Sequence, residues 1–525
     1  MLPLKSFTIS IRSTCDLGSR AQAINNQSRQ HLWNEQEQQR VRYRRFNVPN
    51  LQRAACQAIG AHNCISREKI GEGNYNKAYR LTMGDGRKVI AKIPHPNAGP
   101  AGRTTSSEVA IMEYARSVLN LPVPRVLKWS ATAQNPVEAE YIIMEEARGE
   151  RLFDIWHGLR WEDKYAIVMD MVKVETKLLS VCFNNGIDSC EPIVATGPQE
   201  VVDQLQARFC IGPTAQREFY EKERQAMHQY QGPWNTAADY LEATAKREID
   251  WISSSANPKE PQANPFHLVD FGQRTPSAHI STLRKFISAI LLILPKDPNV
   301  VSPRFWHPDF PAGNIYVSTS TNRISSIIDW QSATISPLLL TANPPKILDF
   351  SLGQLTMALP DDYEQMEDKE EKKKIKNEVA QSNLVAGYQE ATAADNPLMY
   401  EMLDTTHSKT LKQLAAFAGC TWDDSLFSFK SLLMRVQRDW DQFQTDQPCP
   451  YKYTDEEMEE SYKDADTLNK LQDLWEKIST VLTKEGYTHN ETYDDAVEVF
   501  EALKEALETA ERSVEEEAAQ KTTST

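Results

Sequence analysis

FWHPDFPAGNIYV (305–317) and SSIIDW (325–330) are the stretches that decide the fold of this 525-residue chain. The apolar runs NIYV and SSIIDW predict two short paired strands. The loop before them presents His307, Asp309 and Asn314 in the order H-x-D-x-x-x-x-N. Asp329 lies at the end of the second strand. Asn is common in turns and Asp often caps helices, so it is the order and spacing of these residues beside a strand pair that indicate a site.

These side chains suit the transfer of a phosphoryl group to a hydroxyl. We expect Asp309 to accept the hydroxyl proton, with His307 beside it in the catalytic loop as a buttress. Asn314 and Asp329 supply oxygen ligands, which Mg²⁺ prefers in proteins. The sequence therefore predicts Asp309 and His307 as the catalytic residues and Asn314 and Asp329 as the metal ligands.

A hairpin with a glycine-rich start is predicted upstream. The runs KIGEGNYNKAYRLTM (69–83) and RKVIAKIP (87–94) flank a Gly-Asp-Gly turn, which is a strong hairpin signal. The first run is predicted to be a single strand near whose start lie Gly71 and Gly73, where a backbone without Cβ atoms can close over phosphates. This G-x-G is a weak signal alone, and Asn76 stands where a third glycine is often found. Because it opens a strand and not a helix, it is not a dinucleotide fingerprint.

Lys92 is predicted to reach the same phosphates from the second hairpin strand. A lysine on an apolar strand is costly unless its ammonium group has a partner. The apolar spacing of residues 106–119 predicts a helix, capped by Ser106 or Ser107, and Glu108 on it can pair with Lys92. Two alternatives stay open: Lys92 faces solvent, or Glu113 is the partner.

A buried strand over 138–149 is predicted to lead into a hinge. Extended backbone from Glu145 to Ala147 can offer N–H and C=O groups to a purine, although an ordinary linker would look the same. Helices are then predicted over 161–181, 215–232, 236–252 and 283–294. The Asp-Phe-Gly of 270–272 resembles a magnesium motif but precedes the H-x-D loop, so Asp329 is the better candidate.

Together these segments resemble the aminoglycoside phosphotransferase (phosphotransferase enzyme) family, and within it a mitochondrial branch. The sequence segments that carry the resemblance include EGNYNKAYRLTMGDGRKVIAKIPHPNAGP, SEVAIMEYAR, RFWHPDFPAGNIYV and IIDWQSATISPL. The resemblance implies Asp309 as the catalytic base, Asn314 and Asp329 as magnesium ligands, and Lys92 with Glu108 as the phosphate-anchoring pair. The drug-modifying members usually have glycine where Pro308 stands, and an acid soon after the strand aspartate, where this chain has Gln331. The acceptor is therefore left open.

Charge and composition divide the chain further. The net charge of −15 argues against general nucleic-acid binding, which needs a basic face. Residues 1–34 contain four basic residues, one acid and many Ser and Thr, which predicts a mitochondrial transit segment; a disordered terminus is the alternative. No apolar run is long enough for a transmembrane helix. We expect a transit segment and linker at 1–45, an N-lobe at 46–148, a C-lobe at 149–450 and an acidic tail at 451–525.

The expected fold is α+β: a bilobal, protein-kinase-like fold with a small β-rich N-lobe, a large mainly helical C-lobe and an acidic helical C-terminal extension. The expected function is an ATP- and Mg²⁺-dependent phosphotransferase with an unknown hydroxyl-bearing acceptor, in mitochondria and within their matrix. The alternative is a kinase-like pseudoenzyme that acts as a scaffold, with the acidic C-terminal helices binding a protein partner.

Overall fold

A computed structural model of the chain describes residues 29–31, 40–183, 193–227, 229–256, 275–348, 355–422, 426–443, 445–478, 481, 487–489 and 493–505. The elements as far as the hinge are, in chain order, β1 (Arg29–His31), α1 (Val48–Ile59), β2 (Cys64–Glu72), β3 (Asn76–Met83), β4 (Lys88–Pro94), α2 (Arg103–Glu113), β5 (Val126–Ser130) and β6 (Tyr141–Glu145).

The amino-terminal lobe is a five-stranded antiparallel sheet in the order β2-β3-β4-β6-β5, with α1 packed on it. Helix α1 begins after Asn47, whose side chain accepts a hydrogen bond from the Asn50 N–H, and ends at Gly60 in the left-handed conformation. Leu51 packs with Leu81 and Ile143 of the sheet in one buried cluster. Burial of this apolar face is what holds the small lobe together.

The prediction of a single strand over 69–83 is wrong. The stretch forms parts of two strands, β2 and β3, which pair antiparallel on either side of a turn at residues 73–75. The Gly73 N–H donates to the Asn76 carbonyl at 3.0 Å, which closes this turn. Gly73 therefore lies in a hairpin turn, and Gly71 lies near the end of the strand that leads into it. The segment 71–76, which contains this turn and the adjoining strand ends, is here called the glycine turn.

Helix α2 begins earlier than predicted. It follows Gly102, so Ser106 and Ser107 lie inside the helix and do not cap it. The Ser106 hydroxyl instead donates to the Gly102 carbonyl at 2.7 Å. A π-helical turn at Tyr114–Val118 continues α2 and packs into the core of the second lobe, where the Tyr114 ring meets Phe305 edge-on.

The second lobe is mainly helical. Its elements are, in chain order, β7 (Glu150–Arg151), α3 (Leu152–Ile155), α4 (Trp161–Leu178), β8 (Cys182–Phe183), β9 (Ala195–Thr196), α5 (Gln199–Arg208), α6 (Ala237–Ser255), α7 (Pro276–Ile293), α8 (Pro298–Val301), β10 (Pro303–Trp306), β11 (Ile315–Val317), β12 (Ile324–Ile327), β13 (Thr334–Pro337), α9 (Leu338–Thr341), α10 (Lys369–Asp395), α11 (Pro397–Asp404), α12 (Ser408–Ala418), α13 (Leu426–Arg438), α14 (Asp455–Ile478) and β14 (Tyr487–His489).

Two small sheets of this lobe carry the loop at 307–314. Strand β10 pairs with β13, and β11 pairs antiparallel with both β12 and β7. The inward faces of these strands, including Phe305, Ile315 and Ile327, belong to one large buried core with α4, α6 and α7. The predicted bilobal α+β fold is confirmed, with a β-rich first lobe and a mainly helical remainder.

The helix predicted over 215–232 is wrong. The described residues of this range form two short 3-10 turns, Arg217–Phe219 and Lys222–Ala226, and no α-helix. Tertiary contacts override helix propensity because Arg224 is drawn inward, where it pairs with buried Glu248 at 2.5 Å and stacks over the Trp251 ring.

The acidic tail is not helical throughout. After α14, strand β14 pairs antiparallel with β1, and a helix covers 493–505. Across the described parts of the chain, no helix has both the length and the apolarity needed to cross a bilayer.

A buried carboxyl group joins two long helices of the second lobe. The Tyr388 hydroxyl of α10 donates to Glu175 of α4 at 2.8 Å, and Glu175 is fully buried. Burial raises the pKa of Glu175 to about 8, so the carboxyl group is protonated at neutral pH.

This pKa predicts a stability change at alkaline pH. The folded state holds a proton that the unfolded state loses near pH 4.5, so the free energy of unfolding should fall as pH rises from 4.5 to about 8. Glu175→Gln keeps an oxygen for Tyr388 but cannot ionise. In urea denaturation at pH 8.5 we expect it to be more stable than the wild type by roughly 4 kcal/mol, with a difference of less than about 1 kcal/mol at pH 5. Equal pH dependence in the two proteins would contradict this.

Candidate functional site

Three charged side chains from distant parts of the chain meet between the lobes. Lys92 Nζ on β4 lies 2.7 Å from Glu108 Oε1 on α2 and 3.0 Å from Asp329 Oδ1 after β12. The side chains of Lys92 and Glu108 are 9% and 4% exposed, whereas that of Asp329 is 45% exposed. Asp329 can therefore be reached by a ligand while it still touches the lysine.

The electrostatics of this triad favour the charged forms of Lys92 and Asp329, whereas burial raises the pKa of Glu108 against the attraction of Lys92. Burial alone lowers the pKa of Lys92, but the attraction of Asp329 and Glu108 outweighs burial and raises it. Lys92 in turn lowers the pKa of Asp329 against the opposing effect of burial. At neutral pH the site thus holds a fixed ammonium group beside an ionised carboxylate, which suits a ligand that carries both phosphate oxygens and a cation.

Of the two acids considered as partners for Lys92, the structure selects Glu108. Glu113 lies one and a half turns further along α2 and pairs with Arg208 of α5 instead. The Glu113 and Arg208 side chains are 44% and 39% exposed, so this second pair is a surface contact.

Asp329 has an unusual backbone conformation, which is held by hydrogen bonds of the flanking chain. Its φ is 63° and ψ is 59°, in the left-handed region that a non-glycine residue seldom adopts. The flanking chain is tied down because the Ile327 N–H donates to Pro122 at 2.8 Å and the Ile328 N–H donates to Asn314 at 2.9 Å. Backbone strain of this kind, held by its surroundings, is typical of functional sites.

The loop at 307–314 brings Asp309 and Asn314 together. The Asn314 amide donates to the Asp309 carboxylate at 3.0 Å and to its backbone carbonyl at 3.2 Å. This orientation leaves the Asn314 side-chain oxygen as an acceptor directed elsewhere. The backbone link through Ile328 connects Asn314 to the chain just before Asp329.

His307 lies behind this loop and not in the cleft. It is 2% exposed, its ring stands edge-on to Trp330 at 4.5 Å, and Nε2 lies 3.2 Å from the Ile328 carbonyl. Burial lowers the pKa of His307 to about 4, so the neutral ring donates from Nε2. His307 was predicted among the catalytic residues, but this position makes it a positioning residue that joins the loop to the Asp329 turn.

The predicted nucleotide contacts outside the triad have a mixed outcome. Apart from the adjacent residues of the chain, no atom of the described residues lies within 4 Å of the Cβ position at Gly71 or Gly73, so the space beside these glycines is open. The Glu145 N–H donates to the Arg125 carbonyl at 3.0 Å, so of the two backbone groups predicted to serve a purine at this residue, the carbonyl stays a candidate. Ala147 lies beyond the end of β6 and remains a candidate for a backbone contact with the purine.

Close packing at Gly149 fixes the hinge. Gly149 has a φ of 95°, and a Cβ there would lie 2.2 Å from the Val317 carbonyl oxygen of β11. The neighbouring Arg148 N–H donates to the Ser326 hydroxyl at 3.0 Å. The hinge is thus attached to the strand pair that carries Asp329.

The chemistry of the donors fits a magnesium ion. Asn314 and Asp329 offer oxygen atoms only, and Mg²⁺ completes its shell with water and phosphate oxygens. Within the described ranges no group of three or more His, Cys, Asp or Glu side chains could hold a metal ion, which separates this site from an all-protein metal cage. The Asp-Phe-Gly of 270–272 lies outside the described residues.

Sequence patterns gave no indication of one contact at the site. Gln331 accepts a hydrogen bond from the Asn76 amide of the glycine turn and donates to the Ala98 carbonyl at 3.0 Å. The two residues are 255 positions apart, and no local periodicity relates them. The only signal for this contact in the sequence was that Gln331 stands where the drug-modifying members of the family usually have an acid.

Comparison with known proteins finds one matching family model and several similar curated proteins. A family model described as "Phosphotransferase enzyme family" matches residues 66–340. The chain is 30% identical over 475 residues to a subtelomeric hrmA-associated cluster protein of Aspergillus fumigatus, covering 83% of this chain and 91% of that protein. It is 23% identical over 450 residues to altered inheritance of mitochondria protein 9, mitochondrial, of Yarrowia lipolytica, covering 80% of this chain and 75% of that protein. The predicted resemblance to a mitochondrial branch is thereby confirmed.

The chain is also similar, at lower sequence identity, to solved structures. The streptomycin–ATP–APH(2'')-IIa ternary complex has a TM-score of 0.35 and 12% identity, covering 74% of this chain and 98% of that chain. A thermostable mutant of aminoglycoside phosphotransferase APH(4)-Ia in complex with AMP-PNP and hygromycin B has a TM-score of 0.36 and 14% identity, covering 74% and 98% of the two chains.

The buried Lys92–Glu108 pair predicts how substitutions at its two positions change the free energy of unfolding. Glu108→Leu leaves Lys92 buried with only the half-exposed Asp329, so the free energy of unfolding should drop by about 3 kcal/mol in urea denaturation. The double variant Lys92→Met/Glu108→Leu should recover most of this loss, because two apolar side chains replace two desolvated charges.

Glu113→Leu is the matched control on the same helix. Its partner Arg208 stays solvated, so the control should change stability by less than about 1 kcal/mol. A double variant as unstable as Glu108→Leu would show that the pair does not act as a buried charge unit.

Proposed function

This chain belongs to the phosphotransferase enzyme family, and we propose that it transfers the γ-phosphate of ATP to a hydroxyl group in a Mg²⁺-dependent reaction. The observation that carries the proposal is the convergence of Lys92, Glu108 and Asp329, from three separate elements, in the cleft between the lobes. A buried ion pair with a third, reachable carboxylate is costly to build for stability alone, and it is the arrangement that phosphate binding requires.

Each side chain has a role in this proposal. Lys92, oriented by Glu108, binds phosphate oxygens with its ammonium group. Asn314 and Asp329 would hold the magnesium ion, which would supply charge neutralisation at the phosphates. Gly71 and Gly73 leave open space beside the glycine turn for the phosphates, and the hinge backbone near Ala147 faces the base. Catalysis then consists mainly of positioning and electrostatic stabilisation.

Asp309 is the proposed catalytic base. Its carboxylate is held by the Asn314 amide, so the acid that receives the acceptor proton is also tied to a proposed metal ligand. His307 keeps the loop in this orientation from behind, through Ile328 and Trp330. Proton transfer by a positioned carboxylate typically contributes a factor of about 10²–10⁴ in rate.

Substitution of Asp309 tests its assignment as the catalytic base. In Asp309→Asn, transfer of labelled γ-phosphate from ATP to acceptors in a mitochondrial extract should fall by about 10²-fold or more, because the amide cannot accept the proton. ATP with Mg²⁺ should still raise the melting temperature of this variant, because the triad is unchanged. Asp203→Asn, an exposed position on α5, is the control and should retain full transfer.

Two results would contradict the proposal. Full transfer by Asp309→Asn would remove Asp309 as the base. A wild-type chain whose melting temperature does not respond to millimolar ATP and Mg²⁺ would favour the alternative, a kinase-like scaffold that binds protein partners through the acidic helices after residue 451.

We also propose that the protein works in the mitochondrion, in the matrix. Relatives such as that of Yarrowia lipolytica carry "mitochondrial" in their names, and residues 1–34 have a basic, acid-poor composition. A fluorescent protein fused to residues 1–45 should enter mitochondria. The same fusion with Arg12→Glu and Arg20→Glu should stay outside, because a transit segment depends on its positive charge. Import of both fusions, or of neither, would count against the assignment.

A further inference from the structure

The glycine turn is connected to the helical lobe by two neighbouring residues. The Asn76 side-chain amide donates to the side-chain oxygen of Gln331. The guanidinium of Arg217 lies 4.3 Å from the centre of the Tyr75 ring, in cation–π geometry. The turn is therefore held against the second lobe and not suspended over the cleft by its own strands alone.

Gln331 is the centre of this connection. It lies two residues after Asp329, on the 3-10 turn Trp330–Ser332. Its oxygen accepts from Asn76, and its nitrogen donates to the Ala98 carbonyl at 3.0 Å in the loop between β4 and α2. One primary amide thus joins the Asp329 turn to two separate parts of the small lobe.

The chemistry at this position requires an amide. A glutamate at 331 could still accept from Asn76, but it could not donate to Ala98, and its charge would stand close to Asp329. An alanine would break both bonds. Gln331 therefore ties the turn to the other lobe without adding negative charge where phosphates would lie.

The connection holds the glycine turn in place without filling the space beside its glycines. Within the part of the chain that the structure describes, the positions where a Cβ would stand at Gly71 and Gly73 have no neighbour within 4 Å beyond the adjacent residues. The Tyr75 carbonyl, meanwhile, accepts the His95 N–H at 2.8 Å, which fixes the turn from the small-lobe side as well. The turn is thus fixed on both sides while the space beside its glycines stays open.

We infer that Gln331, through its hydrogen bond to Asn76, is a positioning residue that holds the glycine turn over the nucleotide phosphates. This inference rests on the proposed function, since it assumes that ATP binds in the cleft. A turn held in its binding conformation loses less entropy when the ligand binds, so the bond raises nucleotide affinity. The chemical step, which depends on Asp309, is affected little.

The test is a double-mutant cycle on the full chain. Gln331→Ala, Asn76→Ala and the double variant are titrated with ATP and Mg²⁺ by calorimetry, and turnover of ATP is measured at saturation. Each single variant should bind ATP about three- to tenfold more weakly, the size expected for one hydrogen bond, with turnover at saturation within about twofold of the wild type. The double variant should be no weaker than Gln331→Ala alone, because both changes remove the same bond.

Two further variants keep the result interpretable. Gln206→Ala removes a similar amide-to-carbonyl bond, to Ile193, from α5, and it should leave ATP affinity unchanged. Gln331→Met serves if the alanine variant does not fold; it keeps the length of the side chain, removes its hydrogen bonds without adding charge, and should bind ATP about three- to tenfold more weakly, as Gln331→Ala does.

The possible failures can be told apart. Wild-type affinity for ATP in both Gln331→Ala and Asn76→Ala, or independent additive losses in the double variant, would overturn the role of the Gln331–Asn76 bond and leave the proposed function intact. A wild-type chain that binds no ATP would overturn both.

Discussion

Desolvation of the Lys92 ammonium group is the constraint on which the site depends. A lysine buried on a central strand is tolerated only if carboxylates face it, and Glu108 and Asp329 do so from opposite lobes. The sheet, helix α2 and the turn after β12 are thereby fixed relative to one another. Because Asp329 is the least buried of the three, a charged ligand can compete for the lysine without dismantling the pair that supports it.

Helix α2 connects this site to the core of the large lobe. Its middle carries Glu108 toward the small lobe, and its π-helical continuation inserts Tyr114 beside Phe305 in the core of the large lobe. The hinge at Gly149 and the Gln331 amide add connections on either side of the cleft. The two lobes are thus joined through several contacts, and any closure over a nucleotide would have to preserve or exchange them.

Much of this arrangement could be predicted from the sequence because it depends on local sequence patterns. The H-x-D loop, the flanking strands, the hairpin around residues 84–86 and Lys92 all follow from turn chemistry and apolar spacing. The wrong helix prediction has a tertiary cause, because Arg224 in residues 215–232 is drawn inward to pair with buried Glu248. The Asn76–Gln331 bond has no local signature, since it joins residues 255 positions apart.

A crystal structure of the chain with a non-hydrolysable ATP analogue and Mg²⁺ is the most direct test of the central claim. The account predicts that Lys92 keeps Glu108 and contacts the phosphates, and that one ion lies between the oxygens of Asn314 and Asp329. An analogue bound elsewhere, or an ion that touches neither of these side chains while Lys92 still pairs with both acids, would contradict it.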